Sequence, residues 1–359
     1  MRITRRSRLA VACGVAAVMA LGGFAASVGS IAGAHAAEVE GPKVKWLLSA
    51  WGKRRGITEG IESLAKHVSD ATGGNFEISI QYGGVLSKPA ENLDGLKIGA
   101  FEAAMFCPVY HPGKTPALTG LDLAFMPIFD MEARAKVHEA YFQHPVVQQE
   151  FANWNARPLI SALMPGYEVM GKGEPPREMK DWEGLRLHAA GGMGDVLRSL
   201  GAVTTTLPAP ETYQSLERGV IDGLAFPFTY AFAAYRLHEI SDWYTADLAL
   251  GSTTCPVAVS QQAWDALPQQ YKDLIERVKP TAYKEQREKN VEIDAKNLAA
   301  FKEAGLTPVS YPAEVRQQII DRVAKQSWEN WAKARSEQGL PGQELLDFIL
   351  AEAKSAQGR

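Results

Sequence analysis

The sequence predicts an α/β protein of two domains, and three observations carry that prediction. Residues 182–230 read as three short strands with two helices between them. Residues 44–106 repeat the alternation of strand and helix. Once a leader is set aside, about 320 residues remain, more than one hydrophobic core usually organises. Repeated strand–helix units pack as sheets covered by helices, and ligands in such folds sit where strand ends meet loops.

The chain opens with Arg2, Arg5, Arg6 and Arg8, then a run of Ala, Val, Leu and Gly, then Ala34-His35-Ala36. A basic start, an apolar middle and a small-x-small end describe a signal peptide over 1–36, cleaved before Ala37, with the mature protein exported to the periplasm. Thr4-Arg5-Arg6-Ser7-Arg8-Leu9 also fits a twin-arginine signal. A membrane anchor is the rival reading, but Gly and Ser interrupt the run and a cleavage site follows it. No other stretch approaches the roughly 20 apolar residues that span a bilayer. Losing four arginines and no acids takes the formal charge from −3 to −7. A mildly acidic chain without a basic cluster is a poor binder of nucleic acid.

In the first domain, 44–48 forms a strand, 57–69 an amphipathic helix ended by Thr72-Gly73-Gly74, and 76–80 a cleanly alternating strand. A short helix over 93–98 stops at Gly99, and 103–106 is a buried strand. A helix over 131–141 and the segment 146–154 precede a strand at 158–163 that leads to the second domain. There 184–188 is a strand, and Met193, Val196, Leu197 and Leu200 recur at helical spacing before Gly201. Strand 202–207, helix 210–218 and strand 220–225 follow, the last entering a Pro-aromatic turn. Residues 255–260 return as a strand to the first domain, and two or three such crossings make a hinge. From Gln270 to Ala304 there is no Gly, so a long helix is expected, kinked or broken at Pro280. Helices over 312–338 and 342–354 finish the chain. The expected division is 37–164 plus 254–303 for domain I and 165–253 plus 304–359 for domain II. Cys107 and Cys255 are not a disulfide framework, and two buried free thiols is the favoured reading.

The strand G-L-R-L-H after D-W-E, the turn L-G-A, the helix end Y-Q-S-L-E-R-G, and V-I-D-G before an aromatic-Pro pair together resemble the periplasmic solute-binding subunits of TRAP transporters. T-G-G-N-F-E-I-S-I, D-G-L-K-I-G-A-F-E-A-A and L-A-F-M-P-I extend the resemblance over nearly the whole mature chain. It implies a two-domain periplasmic-binding-protein-like fold with hinge strands and a long helix bracing both domains. It also implies a monomer that closes on a small organic solute and passes it to membrane permease subunits, with no cofactor.

The resemblance further implies arginines that grip a substrate carboxylate, and the matching positions here depart from it. His188 stands at the arginine on the strand tip, Glu168 at a second arginine, Phe226 at an asparagine, and Cys107 near an acidic or polar position. Histidine cannot reproduce the guanidinium fork, and a glutamate repels an anion. Trp51, Tyr110, Tyr167, Phe226, Phe228 and Tyr230 sit in loops or strand ends that the layout can turn toward the cleft, and ammonium groups bind over such rings. The expected ligand is therefore amine-bearing or largely apolar, with a conventional organic acid as the alternative. Against this stands plain packing: most of eight tryptophans fill cores, His188 can be a hydrogen-bonded strand end, and Glu168 can pair with Arg186 or Arg198.

Enzyme signatures are weak. Cys107, His188 and Glu168 are raw materials for a thiol nucleophile, but no signature surrounds Cys107. His111 and His188 lack metal-ligand spacing, and Gly191-Gly192-Met193-Gly194 lacks the lysine of a phosphate loop. The expectation is a transport receptor, not an enzyme. A periplasmic enzyme or an extracytoplasmic sensor are the other classes, the first tested by turnover lost in Cys107→Ala.

Overall fold

The computed structural model describes residues 38–358 apart from residue 112, so the leader assigned to 1–36 lies outside the described residues. Val44–Ser49 (β1) leads through a loop and a 3-10 turn into Glu59–Ala71 (α1). Ile61, Leu64 and Val68 form the buried stripe of α1, and Glu59 and Glu62 lie in its first turn, where acids complement the helix dipole. Phe76–Gln81 (β2) then pairs in parallel with β1, from Val44 opposite Phe76 to Ser49 opposite Gln81. Asn92–Lys97 (α2), Ala103–Met105 (β3), Met131–Phe142 (α3), Pro145–Ala152 (α4) and Ala156–Ser161 (β4) complete the first pass.

The chain then crosses to a second sheet. Tyr167–Gly171 (β5), Arg186–His188 (β6), Gly191–Ser199 (α5), Val203–Thr205 (β7), Thr212–Glu217 (α6), Gly223–Pro227 (β8), Tyr230–Ala234 (α7) and Trp243–Thr245 (β9) build it. Pro256–Ser260 (β10) returns to the first sheet, whose order is β2-β1-β3-β10-β4. After Gln261–Asp265 (α8), the helix Gln269–Glu303 (α9) carries the chain to Thr307–Val309 (β11), and the second sheet reads β11-β9-β5-β8-β6-β7.

At 35 residues, α9 is long enough to brace both lobes. Its buried Gln286 donates to the carbonyls of Gly56 (3.2 Å) and Leu163 (2.9 Å), while Asn297 donates to Thr229 Oγ1 (2.9 Å) beside α7. Of the kink or break expected at Pro280, the break does not occur, because helix continues on both sides of it. A proline inside a helix costs about 3 kcal/mol, and the buried face of α9, including Leu274, Ile275, Ala282 and Tyr283, is there to offset it.

Ala313–Ile319 (α10) passes through a π turn into Lys325–Glu337 (α11), followed by Gly342–Ala356 (α12). Leu345, Leu346, Ile349 and Ala353 on α12 share a core with Leu118, Val137, Tyr141 and Phe142 of the first lobe. The last helix therefore does not follow the expected grouping of 304–359 with domain II, since its apolar stripe is covered by α3.

Cys107 and Cys255 are joined by a disulfide, with Cα atoms 4.1 Å apart, which corrects the expectation of free thiols. The antiparallel register of β3 and β10 explains it. Met105 faces Val257, so the residues two further along each strand line meet across the ladder. A sequence separation of 148 residues hides that meeting until the strands are paired.

Candidate functional site

The tip of β1 and the loop before α1 supply one wall of a cavity between the two sheets. Three consecutive basic residues stand there, and the backbone treats them differently. Lys53 and Arg54 are exposed, and Arg54 pairs with Glu62 at 2.5 Å. Arg55 turns inward and is only 7% exposed. Its Nη1 donates to the carbonyls of Trp51 (3.0 Å) and Lys53 (2.6 Å), and its guanidinium lies 4.5 Å from the centre of the Trp51 ring. Its Nη2 is buried with no hydrogen-bond partner among the described residues, as are Trp51 Nε1 and Tyr235 Oη.

The opposing wall comes from strand ends of the second sheet. Tyr167, His188, Phe226 and Tyr230 line the same cavity as Trp51, Arg55, Tyr110 and the disulfide of Cys107. Trp51 meets Tyr110 edge to face at 5.5 Å, and His188 meets Phe226 likewise at 5.2 Å. Tyr110 Oη accepts from the amide of Ala209 at 3.3 Å, and Tyr167 Oη is 2.7 Å from Thr253 Oγ1 on the returning crossover. The enclosed space is only about 40 Å³. A cavity that takes benzene holds roughly 150 Å³, so a solute enters only when the walls part.

The electrostatics have a single source. Among the described residues, no carboxylate and no second permanent cation lines the cavity. Burial pushes His188 down to about 4, so its ring is neutral at ordinary pH. Nδ1 accepts the Leu207 amide at 3.0 Å. Burial raises Tyr110, Tyr230 and Tyr235 above the usual phenol range, and the charge of Arg55 acts on all three in the opposite sense. Arg55 is thus a buried cation facing neutral groups, an arrangement that calls for an anion.

Two expected site residues lie elsewhere. Glu168 follows Tyr167 on β5, and strand alternation sends it to the opposite face. There it accepts from the Thr245 hydroxyl and from the amides of Leu248 (3.2 Å) and Ala249 (2.8 Å). Arg186 pairs with Asp222 and Arg198 with Asp195, so neither is its partner. Phe228 packs against Tyr244, ring centres 5.8 Å apart, and does not line the cavity. Trp51, Cys107, Tyr110, Tyr167, His188, Phe226 and Tyr230 do come together. Arg55, Met164, Tyr235 and Thr253 join them without having been expected. The usable signal for Arg55 was three basic residues in a tight loop after Trp51, where one of them could be held inward.

A larger, open groove of about 700 Å³ runs between α5 and α11. Two of its arginines are already engaged, Arg198 with Asp195 and Arg335 with Pro116 O and Thr119. The enclosed cavity is the better site because three of its polar atoms, Arg55 Nη2, Trp51 Nε1 and Tyr235 Oη, are buried and unmatched.

Residues 49–334 match the family described as bacterial extracellular solute-binding protein, family 7. The chain belongs to that family. Among relatives of this family 7 receptor, a monocarboxylate 2-oxoacid-binding periplasmic protein of Nostoc is 26% identical over 316 residues, covering 82% of this chain and 85% of the relative. The C4-dicarboxylate-binding periplasmic protein DctP of Rhodobacter capsulatus is 26% identical over 66% of this chain and 70% of its own. A TRAP solute-binding protein from Rhodoferax ferrireducens, solved with copurified benzoate, superposes with a TM-score of 0.79 at 21% identity, covering 88% of this chain and 99% of that one. Another from Bordetella bronchiseptica, with bound mandelate, gives 0.72 at 20% identity over 87% and 99%. The two-lobed fold is that of TRAP periplasmic binding proteins, and the protein is a TRAP-type extracytoplasmic solute receptor. Such receptors bind small solutes and work with membrane permease components.

Proposed function

We propose that this receptor captures a small organic carboxylate with a largely apolar body, clamps it between the lobes, and hands it to a membrane permease from the periplasm. The observation that carries this reading is the buried, unpartnered Nη2 of Arg55 among aromatic walls. A carboxylate gives the guanidinium charge-assisted hydrogen bonds and cancels its buried charge. The aromatic rings then take the rest of the molecule. An amine is disfavoured, because Arg55 repels it and Glu168, which was to hold it, faces another way. Monocarboxylate and aromatic-acid ligands of relatives and fold neighbours point in the same direction.

A thermal-shift and calorimetry screen tests the proposal with benzoate, phenylglyoxylate, pyruvate and succinate against matched primary amines. Acids should raise the melting temperature and amines should not. Arg55→Met should weaken the acids roughly 100-fold, and Arg55→Lys should recover part of that, since lysine keeps the charge without the fork. Tight binding of amines, or acid affinity indifferent to Arg55, would overturn it.

A further inference from the structure

The second lobe brings an unmatched hydroxyl of its own to Arg55. Tyr235 follows α7, which lies between strands β8 and β9 of the second sheet, and its amide donates to Ala231 O at 3.1 Å. Its ring stands 5.8 Å from Phe226 on the cavity wall, and its Oη is buried with no hydrogen-bond partner among the described residues. Facing it is Gly52, in the loop after β1 of the first sheet. A Cβ there would lie 3.0 Å from Arg55 Cζ and 3.1 Å from Tyr235 Oη. The hydroxyl and the guanidinium therefore border one small space from different lobes, no further apart than those two lengths laid end to end. Gly52 has a φ of +72°, a turn that keeps a side chain out of that space. Burial raises the Tyr235 phenol, with the charge of Arg55 acting in the opposite sense, so the hydroxyl keeps its proton at ordinary pH. The other two unmatched atoms, Arg55 Nη2 and Trp51 Nε1, can only donate. Three buried donors thus wait for one acceptor, and a carboxylate has about four lone-pair sites.

We infer that Tyr235 is the second lobe's contact to the solute carboxylate: its hydroxyl donates to the same anionic group that Arg55 holds from the first lobe, so the carboxylate itself ties the lobes together. The contact exists only once the lobes meet, so it governs release rather than encounter. It also takes no account of the solute's body, which the aromatic walls receive. The inference rests on the carboxylate reading of the same cavity.

The test uses Tyr235→Phe, which removes one oxygen and keeps the ring. Calorimetry gives dissociation constants and stopped-flow tryptophan fluorescence gives rates, for benzoate, phenylglyoxylate and pyruvate on the variant and the unsubstituted protein. Every acid that binds should lose about tenfold in affinity, the worth of a charge-assisted hydrogen bond. The factor should be the same for all of them, because the carboxylate is what they share, and nearly all of it should be faster dissociation. The melting temperature of the solute-free protein should not fall, since the hydroxyl leaves no partner behind. Unchanged affinity in Tyr235→Phe, with Arg55→Met still weakening the acids, would overturn the inference and leave the carboxylate reading standing. So would a loss confined to the aromatic acids, which makes Tyr235 a packing surface, a loss carried by slower association, or one that comes with a less stable solute-free protein. Failure of every acid to bind the unsubstituted protein would instead remove both.

Discussion

At the scale of the residue, burial decides what each ionisable group does. Glu168 shows this away from the cavity: burial pushes its carboxyl up to about 7, against the three hydrogen bonds it accepts. Its ordinary value is 4.5, so between 4.5 and 7 the folded protein holds more protons than the unfolded one. Stability therefore declines as pH rises through that window, by on the order of 3 kcal/mol, and is level above it. Glu168→Gln removes the titration and mimics the protonated form. Its melting temperature relative to the unsubstituted protein should climb from pH 4.5 to 7 and then level off. A difference independent of pH would mean that Glu168 stays ionised when folded. Arg55 teaches the complementary lesson. Lys53, Arg54 and Arg55 are equivalent as letters, and only the turn closed by Thr58 Oγ1, which accepts the Arg55 amide at 3.1 Å, picks the one that points inward.

Elements place these groups through register. Strands β3 and β10 meet antiparallel, so their ends carry Cys107 and Cys255 to one point on the cavity wall. In the unfolded chain that bond closes a loop spanning 148 residues, a constraint worth about 5 kcal/mol on chain entropy. Cys107→Ala with Cys255→Ala should lower the melting temperature by roughly 10 °C in a thermal scan, and a reductant should do the same to the unsubstituted protein. A scan unmoved by either treatment would mean the bond contributes nothing. Several elements were legible beforehand. The alternation of 76–80 became β2 with its first residue in place, and the apolar face of 57–69 became α1. Strands β9 and β11, three residues each, were not read from the sequence.

For the whole molecule, the proposed capture between the lobes makes closure the property to test. The start of α5 in the second lobe presses on the first: a Cβ at Gly192 would stand 2.9 Å from Ala124 N and from Leu123 Cα. Gly192→Ala therefore wedges the lobes apart without touching the cavity. Acid affinity should fall several-fold by calorimetry, and small-angle scattering with saturating acid should give a larger radius of gyration than for the unsubstituted protein. Unchanged affinity would mean this contact is not part of the closed state. The sequence by itself determined the α/β class, a long helical stretch after residue 269, the resemblance to solute receptors, and most of the aromatic residues around the cavity. Those properties are written in periodicity, turn residues and local motifs, which need no partner strand to be read. Tertiary structure alone decided that Cys107 reaches Cys255, that Arg55 faces inward while Glu168 faces away, and that α12 returns to the first lobe. Each of these depends on which distant strand or helix lies alongside, and a one-residue change of face reverses the charge of a cavity.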